Sequence, residues 1–424
     1  MAAAVPDLET DESESNLLFF NFNQNYSAIS VGTKTGYRLL SLASIDKFDV
    51  VHEDDTPEVN AIDRFFSSSL LALVSLTAPR KLRVCHFKKT QEICNFSYSS
   101  AILGVKLNRT SHAILQRLVV CLEDSIHIHG LKDMRTLHSI NNIPYNPKGL
   151  FALASGNENC FLAWPSSNII GEVHVFDCIS QRDITTIHAH DNPLAAIAFS
   201  TSSSMIATAS EKGTIIRVFS LPDGQKIFEF RRGVKRCATI HSLSFSQDSR
   251  FLCCSSNTET IHIFNLESTK DEKPVEESQG GWMDYLSGAL RTSASYLPTQ
   301  VTEILNQGRD FAVARLHKAG LKNVSAIACI QRATYVLVAC EDGFLYVFNF
   351  NTSIGGECPY VKRLRFDVMG ESGNAEVADS MLINGAAASW PFTKDEPSED
   401  RVKEPADDLK LDDENEFPPV VHGN

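Results

Sequence analysis

The chain has 424 residues, 43% of them hydrophobic, and a formal net charge of −13 at pH 7. No stretch approaches the run of about 18 apolar residues that crosses a bilayer as a helix, and the acidic amino terminus lacks the basic region of a signal peptide. Eleven scattered cysteines without C-x-x-C spacing read as reduced thiols of a cytoplasmic protein.

The charge is unevenly spread. Residues 1–16 hold five acids and no Lys or Arg, and residues 367–424 hold fifteen acids against four bases, which leaves residues 17–366 at +3. The ends, including Asp395–Asp400 and Lys403–Asp408 with their prolines, are expected to be disordered. A folded body over 17–366 between a disordered 1–16 and a disordered 367–424 is the expected organisation. Its mildly basic charge suits an anionic partner.

Seven short segments share alternating apolar residues rich in β-branched and aromatic types, the pattern of a half-buried strand. In chain order they are Tyr37–Leu42, Leu82–Phe87, Ile126–Leu131, Val173–Cys178, Ile216–Leu221, Ile261–Leu266 and Leu345–Phe350. Their starts lie roughly 43–47 residues apart, the blade length of β-propellers, except for a last interval of roughly 84. Several follow a second strand and a turn, as in Ile206–Gly213 and Val336–Gly343. The reading is an all-β, seven-bladed β-propeller, a ring with few open edges. The long interval implies an insertion at about 267–309, where Trp282, Tyr285, Leu286, Leu290 and Tyr296 stand among small polar residues.

Between the fifth and sixth segments lies Phe230-Arg231-Arg232-Gly233. Neighbouring side chains of an extended segment point to opposite sides, so the two arginines serve different pockets. Guanidinium groups hold phosphate oxygens bidentately, and glycine lets backbone approach closely. Upstream stand His190, Thr208, Ser210, Lys212, Gly213, Thr214 and Arg217. Downstream stand Lys235, Arg236, Ser255, Ser256, Thr258, Thr260 and His262. Hydroxyls, amides and cations in matching places of two blades predict one phosphate pocket on each side of the arginine pair. Taken singly, His262 or Thr208 is more naturally a satisfied blade residue. The arginines are different, because burying two adjacent cations without an anion is costly.

No G-x-S-x-G, P-loop or H-E-x-x-H occurs, and His188, His190 and Asp191 are too isolated to hold a metal. The protein is expected to be no enzyme, with no cofactor, no metal and no nucleic-acid partner, and to be a monomer in solution. The alternative is a generic propeller scaffold that binds only proteins.

The segment Lys226–Arg236, with Phe230-Arg231-Arg232-Gly233 inside it, resembles the signature of the PROPPINs, β-propellers that bind polyphosphoinositides. Ala78–Leu82, Ala207–Thr214 and Ser255–Phe264 carry the likeness further, and it is greatest to the autophagy-promoting WIPI branch. The resemblance implies two sites for phosphatidylinositol 3-phosphate or 3,5-bisphosphate. Arg231 would serve one with His190, Thr208, Ser210, Gly213, Thr214 and Arg217. Arg232 would serve the other with Gly233, Ser256, Thr260 and His262. It also implies a membrane-inserting loop in the long insertion, with Trp282, Met283, Tyr285 and Leu286 as its tip. Two or three weak membrane contacts together give stable attachment. A basic groove of the second and third blades, tested by Lys88 and Arg109, would receive an acidic segment of the autophagy conjugation scaffold. A short insertion at Thr110–Gln116 departs from the pattern beside that groove.

Recruitment from the cytoplasm to phagophore, autophagosome and endosomal membranes follows from the resemblance. If His190 and His262 become charged, headgroup binding tightens as pH falls from about 8 to 6. In the tail, Phe417–Val420 behind acids resembles a motif that docks ubiquitin-like proteins by strand addition, although its two prolines remove amide donors.

Overall fold

The computed structural model describes residues 16–109, 116–156, 159–233, 237–267 and 310–367. Blade one is β1 (Leu17–Phe22), β2 (Ala28–Thr33), β3 (Tyr37–Ser41) and β4 (Asp49–Asp54). Blade two is β5 (Val59–Arg64), β6 (Leu70–Ser75), β7 (Lys81–His86) and β8 (Gln91–Ser97). Blade three is β9 (Gly104–Arg109), β10 (Gln116–Cys121), β11 (Ser125–Gly130) and β12 (Thr136–Asn141). Blade four is β13 (Ala152–Leu153), β14 (Phe161–Pro165), β15 (Gly171–Asp177) and β16 (Arg182–His190). Blade five is β17 (Leu194–Phe199), β18 (Met205–Ser210), β19 (Ile215–Ser220) and β20 (Lys226–Arg231). Blade six is β21 (Ile240–Phe245), β22 (Phe251–Ser256), β23 (Thr260–Asn265) and β24 (Ala312–Arg315). Blade seven is β25 (Asn323–Ile330), β26 (Ala333–Cys340), β27 (Phe344–Asn349) and β29 (Tyr360–Arg365), while the short β28 (Gly356–Glu357) pairs parallel with β24.

The protein is an all-β, seven-bladed propeller, and each repeated segment of the sequence is the third strand of its blade. The repeat is clear there because the third strands of blades two, four, five and six alternate between a buried inner face and a partly solvated one. β19 reads intermediate, buried, intermediate, buried, whereas β18 before it is buried almost throughout. The insertion falls within blade six, between β23 and β24, rather than between blades.

Buried apolar faces of adjacent blades form the core. Val74 and Val84 of blade two pack with Leu107 and Leu118 of blade three. Ala207, Val218 and Phe230 of blade five pack with Leu252 and Phe264 of blade six. The ring closes without strand exchange: Ile29, Val31 and Leu40 of blade one pack on Leu337, Val347 and Leu364 of blade seven. Each such side chain contributes about 1.5–3 kcal/mol on burial, so closure by packing alone is sufficient.

Antiparallel order gives the ring two distinct ends. Turns joining first to second and third to fourth strands open at one end. Turns joining second to third strands, and the links between blades, open at the other. Arg231 and Arg232 therefore share an end with the turns after Ser210 and Ser256. The end of β23, the start of β24, Lys88 and the last residue of β9 belong to the opposite end.

Candidate anion site around Arg231 and Arg232

Phe230 anchors the arginine segment. It is buried, its ring stacked on Phe264 of blade six with centroids 4.6 Å apart. Arg231 ends β20 opposite Ile215, and the amide of Arg232 donates to Thr214 O at 3.0 Å. The Arg232 side chain then turns to blade six. Its Nε donates to Gly213 O at 3.1 Å, and one terminal nitrogen donates to Ser256 Oγ and Thr258 Oγ1, each at 3.0 Å. Burial pulls the Arg232 pKa below the ordinary arginine value, with Cys254 and Glu259 acting the other way.

Gly213 is required at its place. Its φ is +64°, and a Cβ there would lie 1.8 Å from Ala238 O. The turn from Ser210 to Thr214 can press against the following blade only without a side chain.

In blade six a line of polar groups runs along the second and third strands. Ser256 Oγ and Thr258 Oγ1 are 2.9 Å apart, Thr258 Oγ1 and Thr260 Oγ1 3.2 Å, and Thr260 Oγ1 and His262 Nε2 3.2 Å. His262 Nδ1 meets Asp310 Oδ2 at 3.2 Å. Ser255 faces elsewhere: its hydroxyl bonds that of Ser242 at 2.7 Å in the interior, so it is a packing residue and not a candidate ligand.

At the blade-five site His190, the last residue of β16 in blade four, meets Thr208 of β18, and Arg217 is held by other partners. His190 and Thr208 are buried, with Nε2 and Oγ1 2.9 Å apart. Arg217 donates through Nε to Glu229 Oε2 and through a terminal nitrogen to Ala189 O, both at 2.7 Å. Lys226 Nζ reaches the same Glu229 oxygen at 2.8 Å.

The expected tightening of binding between pH 8 and 6 does not follow from this geometry. Burial, with help from the Arg217 charge, pushes the His190 pKa down to about 4, so its imidazole is neutral across that range. Burial also lowers the His262 pKa, despite Asp310, with Arg232 and Arg315 pushing the same way.

Three charged groups of the site escaped the sequence reading: Glu229, Asp310 and Arg315. Asp310 and Arg315 follow the insertion, and β24 is only four residues long. Its ending in arginine, like β20, is the signal that was available.

Lys88 is exposed on a 3-10 turn, Phe87–Lys89, capped by His86 Nδ1 accepting from the Lys89 amide at 3.1 Å. Arg109 ends β9, paired with Gln116 at the head of β10. Residues 110–115 lie outside the described residues, as do Lys235, Arg236, Trp282, Met283, Tyr285, Leu286, Phe417–Val420 and the acidic ends at 1–15 and 368–424. Among the described residues, no helix is long and apolar enough to cross a membrane.

The family model described as PROPPIN matches residues 16–366. The chicken (Gallus gallus) protein named WD repeat domain phosphoinositide-interacting protein 2 is 49% identical, over 97% of each chain. The Caenorhabditis elegans Autophagy-related protein 18 is 36% identical, over 97% of this chain and 98% of its own. Among solved structures, Kluyveromyces lactis Hsv2 superposes with a TM-score of 0.63 at 19% identity, covering 82% of this chain and 98% of that one. With the arginine pair, its hydroxyl-lined surroundings and seven blades in one matching stretch, the chain belongs to the PROPPIN family.

Proposed function

We propose that this protein is a non-enzymatic reader of phosphoinositide membranes that acts in autophagosome formation. The observation that carries the reading is the placement of Arg232: a guanidinium rooted in blade five and held among neutral hydroxyls of blade six. A cation with neutral donors around it offers a phosphate both charge and hydrogen bonds. The names of the chicken and nematode relatives support the ligand class and the process.

In this reading the ligands are phosphatidylinositol 3-phosphate and phosphatidylinositol 3,5-bisphosphate. Arg231 serves the blade-five site with His190, Thr208, Ser210, Gly213, Thr214 and Arg217. Arg232 serves the blade-six site with Gly233, Ser256, Thr260 and His262. Two headgroup contacts and an apolar loop near Trp282, Met283, Tyr285 and Leu286 combine by raising the effective concentration of each contact. The propeller occupies residues 17–366 and is a monomer before it reaches the membrane. Lys88 and Arg109, at the opposite end from the arginine pair, receive an acidic segment of the conjugation machinery.

The deciding test is flotation with liposomes containing phosphatidylinositol 3-phosphate, comparing wild type with Arg231→Thr/Arg232→Thr. Loss of flotation in a folded double variant supports the reader. Equal flotation, or none by the wild type, favours a propeller that binds only proteins.

A further inference from the structure

Blade six holds a cation that neither the arginine pair nor the hydroxyl pattern announces. Arg315, the last residue of β24, lies opposite Thr260 in the antiparallel register, and Val313 lies opposite His262. Directly paired residues project from the same face of a sheet, as do residues two apart in one strand. Arg315, Thr260 and His262 therefore share one face of blade six.

Blade five has the same register with different residues. Arg231 ends its fourth strand opposite Ile215, and Arg217 occupies the place of His262. Opposite Arg217 stands Glu229, a carboxylate already bonded to Arg217 and Lys226. The matching residue in blade six is Val313. The carboxylate that bonds the blade-six histidine is Asp310, which meets His262 Nδ1 from the approach to β24, and Glu259 acts on Arg232.

The hydroxyl line thus has two arginines beside it, one from each of blades five and six. Arg232 bonds its Ser256 and Thr258 end, and Arg315 is paired across the sheet from Thr260. Both push the His262 pKa down, behind burial as the main cause. Arg315 also pairs with Glu357, Nε to Oε1 3.4 Å, but the two side chains are 58% and 73% exposed. Such solvated pairs add little stability, so exchanging that carboxylate for a phosphate costs little.

We propose that Arg315 is a headgroup-binding residue and makes the blade-six site a two-phosphate site. Arg232 and the hydroxyls hold one phosphate, and Arg315 holds the second on the far side of the same headgroup. This rests on the reading that the site takes phosphoinositides.

The test is calorimetric titration of soluble dibutanoyl phosphatidylinositol 3-phosphate and 3,5-bisphosphate, in an Arg231→Gln background that weakens blade five. Arg315→Gln should lower affinity for the bisphosphate about tenfold, the order of one charged hydrogen bond, and for the monophosphate less than about twofold. Arg315→Lys, which keeps the charge, should recover part of the loss. Equal losses for both headgroups, or none, overturn the assignment. If the wild type binds neither headgroup, the phosphoinositide reading fails and this inference with it.

Discussion

The guanidinium of Arg232, which belongs to blade five by sequence, donates to Ser256 Oγ of blade six at 3.0 Å. The bond crosses a blade boundary sealed beneath it by Phe230 on Phe264. The polar contacts of Arg232 and the apolar packing of Phe230 are therefore adjacent but made by different side chains.

That separation predicts the behaviour of Arg232→Lys. An ammonium keeps the charge but cannot reach Gly213 O, Ser256 and Thr258 in one fork. Headgroup affinity should fall about tenfold, with a thermal midpoint close to that of wild type. Flotation and a thermal melt on the same sample check both halves, and a large drop in the midpoint would assign Arg232 to folding.

Gly213→Ala should be damaging in the opposite way. The left-handed backbone costs a non-glycine residue about 1 kcal/mol, and the new methyl meets Ala238 O. Urea unfolding should show a loss of more than about 2 kcal/mol, since strain and overpacking act together. Headgroup binding per folded molecule should fall as well, because the turn carries Thr214 and the carbonyl that holds Arg232.

His190 makes stability depend on pH. Its folded pKa of about 4 is below the ordinary 6.5, so the unfolded chain binds the proton more readily. The contribution is intact above pH 6.5 and is lost as pH falls from 6.5 towards 4. It amounts to about 2–4 kcal/mol at 1.36 kcal/mol per unit. Urea midpoints at pH 7 and 4.5 should converge in His190→Gln relative to wild type. Headgroup affinity should stay level between pH 8 and 6 as far as His190 is concerned, which titration at both pH values checks.

Deleting residues 280–300 should abolish liposome flotation and leave titration with the soluble headgroup unchanged. β23 ends, and β24 begins, at the end of the ring opposite the arginine pair. A loss of soluble headgroup affinity would instead show that the deletion displaces Asp310 and Arg315.

Lys88→Glu with Arg109→Glu should eliminate binding of an acidic partner peptide in a pull-down while flotation persists. The two residues and the arginine pair occupy opposite ends of the ring. Coupled loss of both activities would contradict that division.

The repeat was legible because a third strand, partly solvated on one face, must alternate, and Val173–Cys178 or Ile261–Leu266 does so without help from distant residues. The arginine pair was legible for a related reason: two adjacent cations in an extended segment cannot be buried together in an apolar core. Local chemistry thus determined the seven-bladed ring and the position of the arginine pair proposed as its anion site. Contacts between residues far apart in sequence were decided only by the tertiary structure. Burial behind blade five closed His190 onto Thr208 and kept its imidazole neutral, which no local pattern encodes. Register across the insertion brought Arg315 opposite Thr260, 55 positions back along the chain. Strand pairing is blind to the length of the connecting loop, because closure entropy grows only slowly with it.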